Sequence, residues 1–139
     1  MENIRAAVQA LNATGTSVLR GMEDQKAFDK GLNNTTTARE LQVLMTAIAA
    51  GKAVNSDSST QMLGILERHK CHEGISAGLP PGTRLAHKTG EITKIHQDAA
   101  IVFAPRGFFL VILVRGLADT RASSVLTADI TRILCQFTR

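Results

Sequence analysis

Ile4, Ala7, Val8 and Leu11 fall at i, i+3, i+4 and i+7, which is one stripe of a helix, so residues 3–11 are predicted helical. Asn12 to Gly15 marks the end of that pattern. From Thr16 to Asn34 no period holds, and Gly21, Gly31, Asn33 and Asn34 punctuate the stretch. A long, mostly irregular loop is expected there, of the kind that often carries function. Thr37-Ala38-Arg39-Glu40 then spells a capping box. The Thr37 oxygen should accept from the Glu40 backbone N–H, and the Glu40 side chain should reach back. Leu41, Leu44, Met45 and Ile48 form the next apolar stripe, and Gly51 ends it. Ser58-Ser59-Thr60-Gln61 repeats the capping signal, followed by a short helix over Met62, Leu63, Ile65 and Leu66 that ends near His69.

After a Pro- and Gly-rich connection from Gly74 to Gly82 the period changes. Residues 83–89 read as an extended strand. Residues 98–104 are small or β-branched. Phe108 to Arg115, FFLVILVR, reads as a strand buried on both faces. Arg106-Gly107 separates the last two runs, which predicts a tight hairpin. Leu126, Ile130, Ile133, Leu134 and Phe137 share one face of a final helix, and that face should lie on the sheet.

Helices followed by antiparallel strands give the fold class α/β of the α+β type, with a three-stranded antiparallel sheet flanked by helices. One domain over residues 1–139 is expected. Its helical part covers 1–69 with a loop at 16–37, and its strands and last helix cover 83–139. FFLVILVR is too apolar for an edge strand, so the sheet is expected to be incomplete without a further neighbour.

Composition narrows the function classes. The chain is 44% hydrophobic and 20% charged, as in a soluble globular domain, and its five Phe with no Trp or Tyr make the core aliphatic. The net charge of +4 comes from scattered Lys and Arg, with no basic stripe interleaved with aromatics, which argues against a nucleic-acid partner. Cys71 and Cys135 define no disulfide framework. No apolar run is long enough to span a bilayer. The first residues, MENIRAAVQAL, contain Glu2 and do not read as a signal peptide, so the chain as written is expected in the cytoplasm.

The candidate chemistry sits at Lys88-Thr89-Gly90, at the end of the first strand. A cation, a hydroxyl and a bare backbone together make an anion site. His87 and His96 flank it, and Thr93 and His96 are expected in the turn that follows. His69-Lys70-Cys71-His72 offers metal-ligand types, but without a second cluster at zinc spacing it reads as a surface run, and no metal or cofactor is expected.

The stretch AGLPPGTRLAHKTGEITKIHQDAAIVFAPRGFFLVILVRG resembles the Lys-Thr-Gly region of penicillin-recognising serine hydrolases, especially class A β-lactamases. Asp98-Ala99-Ala100-Ile101-Val102 is similar to the family's next strand. Asn33-Asn34-Thr35-Thr36-Thr37-Ala38-Arg39-Glu40-Leu41 resembles the segment that closes its omega loop. The resemblance covers residues 3–137. It implies that Lys88, Thr89 and Gly90 bind a substrate carboxylate, with His96 near the ligand. It also implies that the Glu91 backbone N–H is an oxyanion donor, worth about 3–4 kcal/mol in such sites. Arg20 and Asn34 would frame the loop, and Glu23, beside Asp24, stands where the general base is sought. The implied ligand is a β-lactam or a peptidoglycan-peptide-like small molecule.

Three departures qualify the activity. The nucleophile of the family is the Ser of Ser-x-x-Lys. The residues three before Lys26, Lys30, Lys52, Lys70, Lys88 and Lys94 are Glu23, Ala27, Ala49, Glu67, Leu85 and Glu91. No Asn has a Ser two places before it, so Ser-x-Asn is absent as well. Ala27 and Phe28 stand where an Asn of the omega loop is expected. The chain is therefore expected to be inactive alone. It needs an N-terminal half in cis or in trans, or it covers its open faces by self-association. By resemblance its family is usually exported.

Overall fold

A computed structural model describes residues 2–92, 94–117 and 119–138. Thr93, expected in the turn after Lys-Thr-Gly, lies outside these residues. Helix α1 spans Glu2–Ala10, close to the predicted range, but none of its residues is buried. The loop that follows is less irregular than its sequence suggests. A short helix, α2 (Gln25–Asp29), is capped by the Asp24 side chain, and a Ser17–Thr35 bridge closes the neck of the loop.

Helix α3 (Ala38–Ala49) starts at Thr37, whose hydroxyl accepts from the Glu40 N–H at 3.3 Å, as the capping box predicts. The return half of the box is not made. The Glu40 carboxylate lies beside Gly15, and its Oε2 is buried without a partner. Gly51, with φ +72°, ends the helix. Its N–H reaches the Ile48 carbonyl and the Lys52 N–H reaches the Ala47 carbonyl, the paired bonds of a left-handed C-terminal cap. Helix α4 (Ser56–Glu67) starts earlier than Ser58. Its cap is Asn55, whose side chain accepts from Ser58 N at 2.8 Å. The Ser58–Gln61 segment is thus the first turns of the helix rather than its start. A four-residue helix, α5 (Ile75–Gly78), interrupts the predicted connection.

Strands β1 (Arg84–Ile92), β2 (Ile95–Phe103) and β3 (Phe108–Arg115) form one antiparallel sheet in the order β1-β2-β3, and α6 (Thr120–Phe137) closes the chain. Residues 104–107 join β2 to β3, a four-residue connection rather than a two-residue turn. Pairing of Lys88 with Ala99 and of His87 with Ala100 assigns the two faces. On one face Ala86, Ala99 and Ile101 pack with Met45, Leu41 and Leu63 from α3 and α4. On the other, Ala100 and Val102 pack with Ile75 and Leu79 from α5 and its C-terminal end.

Two expectations about packing are corrected. FFLVILVR is not buried on both faces: as the last strand in the sheet it is only half-buried along Phe108–Val114. The final helix does not lay its apolar stripe on the sheet either. Leu126, Ile133, Leu134 and Phe137 are 46, 55, 37 and 74% exposed, while Ser123, Ser124, Thr127, Ala128, Thr131 and Cys135 face inward. Close approach explains the inversion. A Cβ on Gly78 would stand 2.3 Å from the Ala128 carbonyl and 2.5 Å from Thr131 Cβ, so α5 and α6 meet backbone to backbone. Only small side chains fit such an interface.

Candidate functional site

Lys88, Thr89 and Gly90 lie on β1, a strand paired only on its β2 side among the described residues. Lys88 is exposed, and its ammonium donates to the carbonyl oxygen of Thr89. Thr89 is half-buried. Its backbone N–H points away from β2 toward the ring of His69, with N to Nε2 at 3.4 Å. Along a strand, N–H groups two residues apart point the same way. The Glu91 N–H therefore faces the same open edge as that of Thr89. Gly90 leaves the strand bare between them. A Cβ there would meet only the Gln97 side chain, at 3.8 Å.

Behind this edge lies a polar core that sequence reasoning did not anticipate. Asp98 is 1% exposed and His87 is 3% exposed. Asp98 Oδ1 is 3.1 Å from His87 Nδ1, and Oδ2 accepts from the Ile75 N–H at 3.0 Å. The carboxylate thereby sets the His87 tautomer with the proton on Nδ1. Gly74, at φ +61°, makes room for it: a Cβ there would stand 2.9 Å from Asp98 Oδ2. The His87 ring meets that of His69 edge to face, with centroids 4.7 Å apart. His69 Nε2 is 2.9 Å from the Thr89 hydroxyl. Burial, the neighbouring His87 and the Lys88 cation hold the pKa of His69 below 6.5, opposed in part by Asp98. His69 is thus no member of a plain surface run; it touches the Lys-Thr-Gly segment.

Other expected residues are placed elsewhere. His96 is not in a turn but in β2, buried on the Asp98 face, with Nδ1 enclosed and unpartnered. Asn34 ties the loop at 16–37. Its Oδ1 accepts from Leu19 N at 2.8 Å and Arg20 N at 3.1 Å, and its Nδ2 donates to the Arg20 carbonyl at 3.0 Å. Arg20 folds over the same loop, donating to the carbonyls of Gly21 and Met22 and lying 5.0 Å above the Phe28 ring. Glu23 is exposed. Among the described residues no hydrogen bond or ion pair joins this loop to β1.

Two clefts flank the wall. One, about 390 Å³, is lined by Glu67, His69, Cys71, His72, Arg84 and His87 among others. The other, about 710 Å³, runs between the start of α6 and Glu91. Lys88 and Thr89 line neither of these two clefts. Among the described residues no group of three or more His, Cys, Asp or Glu could hold a metal ion. Among the described residues no helix is long and apolar enough to cross a membrane.

β1 carries Lys-Thr-Gly near its C-terminal end, in a three-stranded antiparallel sheet with helices packed on both faces. A family model described as the beta-lactamase enzyme family matches residues 1–138. The chain belongs to the β-lactamase enzyme family.

Solved structures agree. PBP-A shares 28% identity at a TM-score of 0.80, over 97% of this chain and 50% of that one. A β-lactamase from Sphaerobacter thermophilus DSM 20745 shares 26% identity at a TM-score of 0.88, over 99% and 53%. A variant of PBP-A, solved as an acyl-enzyme complex with penicillin G, shares 28% identity at a TM-score of 0.82, over 97% and 50%. No curated protein sequence matches the chain. The chain spans about half the length of the solved β-lactamase-family structures it matches.

Proposed function

We propose that this chain forms the carboxylate-binding wall of a β-lactamase-type serine hydrolase, and that it does no acyl-transfer chemistry alone. The observation that carries the reading is the Lys88-Thr89-Gly90 segment on the open edge of β1, in a chain whose family match runs from residue 1 to 138. Lys88 supplies positive charge and Thr89 a hydroxyl for the carboxylate of a β-lactam or of a D-alanyl-D-alanine-like peptide. Gly90 lets the ligand approach the strand. The Glu91 N–H stabilises negative charge that develops on the attacked carbonyl, because it faces open space and not a partner strand. Penicillin G is bound covalently by the variant PBP-A complex, which supports this ligand class.

The nucleophile comes from another segment, since no Lys of this chain follows a Ser by three residues. That segment attacks the amide carbonyl through its hydroxyl oxygen, and water then releases the acyl group. It docks on the free edge of β3 and on the outward faces of α1 and α6, where apolar surface stands open. Asn34 and Arg20 hold the 16–37 loop in shape, and exposed Glu23 is available to a completed site.

A second reading has its own support. The absent Ser-x-x-Lys favours a non-catalytic protein that keeps the carboxylate wall and covers its open faces with a second copy. Mixing the chain with the uncovered half of PBP-A and assaying a chromogenic cephalosporin separates the two. Hydrolysis that appears on mixing and is lost in Lys88→Ala supports the enzymatic reading. Reversible penicillin binding with no hydrolysis in any mixture supports the second.

A further inference from the structure

We infer that His69 is a positioning residue of the carboxylate wall: its protonation state sets the direction of the Thr89 hydroxyl, and so couples anion binding to proton uptake. The inference deepens the proposed carboxylate site and rests on it.

The geometry makes the argument. His69 Nε2 lies 2.9 Å from Thr89 Oγ1 and 3.4 Å from the Thr89 backbone N. A backbone N–H can only donate, so Nε2 accepts, and an accepting nitrogen carries no proton. In that state the Thr89 hydroxyl also gives its proton to Nε2. It then presents only lone pairs outward, the wrong polarity for a carboxylate. Proton uptake reverses the bond. The Nε2–H now donates to Oγ1, and the Thr89 hydroxyl is free to turn its proton toward an anion. The same event adds a positive charge beside Lys88.

The surroundings fix where the equilibrium lies. His87 and Lys88 face His69 from β1, and Asp98 faces it from β2. Glu67 from the end of α4, Arg84 from β1, and Cys71 and His72 share its cleft. Asp98 is committed to His87 and to the Ile75 N–H, so it does not neutralise His69 directly. Burial, His87 and Lys88 disfavour the charged ring in the free protein. A bound carboxylate adds negative charge at the same place and must favour the charged ring by the same factor by which protonation favours the ligand.

The test is a titration of benzylpenicillin into the full chain, followed by amide NMR, at about pH 8 and about pH 5, bracketing the histidine range. The wild type and His69→Gln are compared. Gln keeps hydrogen-bonding capacity but does not titrate, and an unchanged amide spectrum elsewhere shows that the variant folds. The expected result is binding at least several-fold tighter at the lower pH in the wild type, and equal at both in His69→Gln. In the free wild type the Thr89 amide shift should follow the His69 titration. An equal pH dependence in both proteins overturns the inference and leaves the carboxylate wall intact. A Thr89 amide indifferent to His69 protonation overturns the hydrogen bond itself. No binding at either pH, in either protein, overturns the carboxylate wall and the coupling that depends on it.

Discussion

Asp98 is the residue on which most of the interior polar structure depends. Two donors, the Ile75 N–H and His87 Nδ1, converge on one carboxylate that is 1% exposed. Asp98→Ala leaves both donors buried and unpaired, which should lower stability by about 2–5 kcal/mol. Thermal or urea melts read that loss directly, and a change under 1 kcal/mol would show the pair to be dispensable. His69 adds a pH term of known sign. Its folded-state pKa lies below the unfolded value of 6.5, so it favours the folded state above that pH and loses the contribution as pH falls through the lowered value. Melts from about pH 7 to about pH 5 should therefore show a smaller acid loss in His69→Gln than in the wild type. Some of this was legible in the sequence and some was not. Lys88-Thr89-Gly90 stands in the sequence as a contiguous signal. The Asp98–His87 pair joins residues eleven apart, diagonal across a hairpin whose register, Thr89 opposite Asp98, comes from strand ends that the sequence places several residues off. His69 is further removed, beyond a Pro- and Gly-rich connection, and no local pattern points from it to Thr89.

At the scale of elements, the ends of α3 are well encoded, while the start of α4 and the orientation of α6 are not. Thr37 and Gly51 cap α3 through bonds a few residues long, which sequence spacing can specify. The face that α6 turns inward is set by a distant neighbour, Gly78, which admits only small residues. The apolar stripe of α6 exists as the sequence spacing predicts, but it faces outward rather than onto the sheet. Gly78→Ala tests that account, since its methyl would press on the Ala128 carbonyl. A destabilisation of about 1–3 kcal/mol is expected in denaturant melts. A neutral change would mean that α5 and α6 separate freely. Replacing outward Ile133 and Phe137 by Gln should leave the melting temperature nearly unchanged, because neither side chain packs inside. The same pair of changes should reduce association of the chain, as measured by light scattering. Persistent association would move the interface to the edge of β3.

For the whole molecule, the open surfaces form a pattern. The edge of β3, the unburied α1 and the outward apolar face of α6 stand open in a chain that spans about half the length of the family structures it matches. FFLVILVR is the last strand of the sheet and half-buried, and a strand so apolar is expected to take a neighbour. The sequence holds Lys88-Thr89-Gly90, the proposed carboxylate wall, and no Ser-x-x-Lys. The central claim is that the chain binds the carboxylate of a β-lactam without being acylated by it. Intact-mass spectrometry of the purified chain after incubation with benzylpenicillin tests that claim most directly. The predicted result is an unchanged mass at every incubation time; a stoichiometric penicilloyl adduct would contradict it.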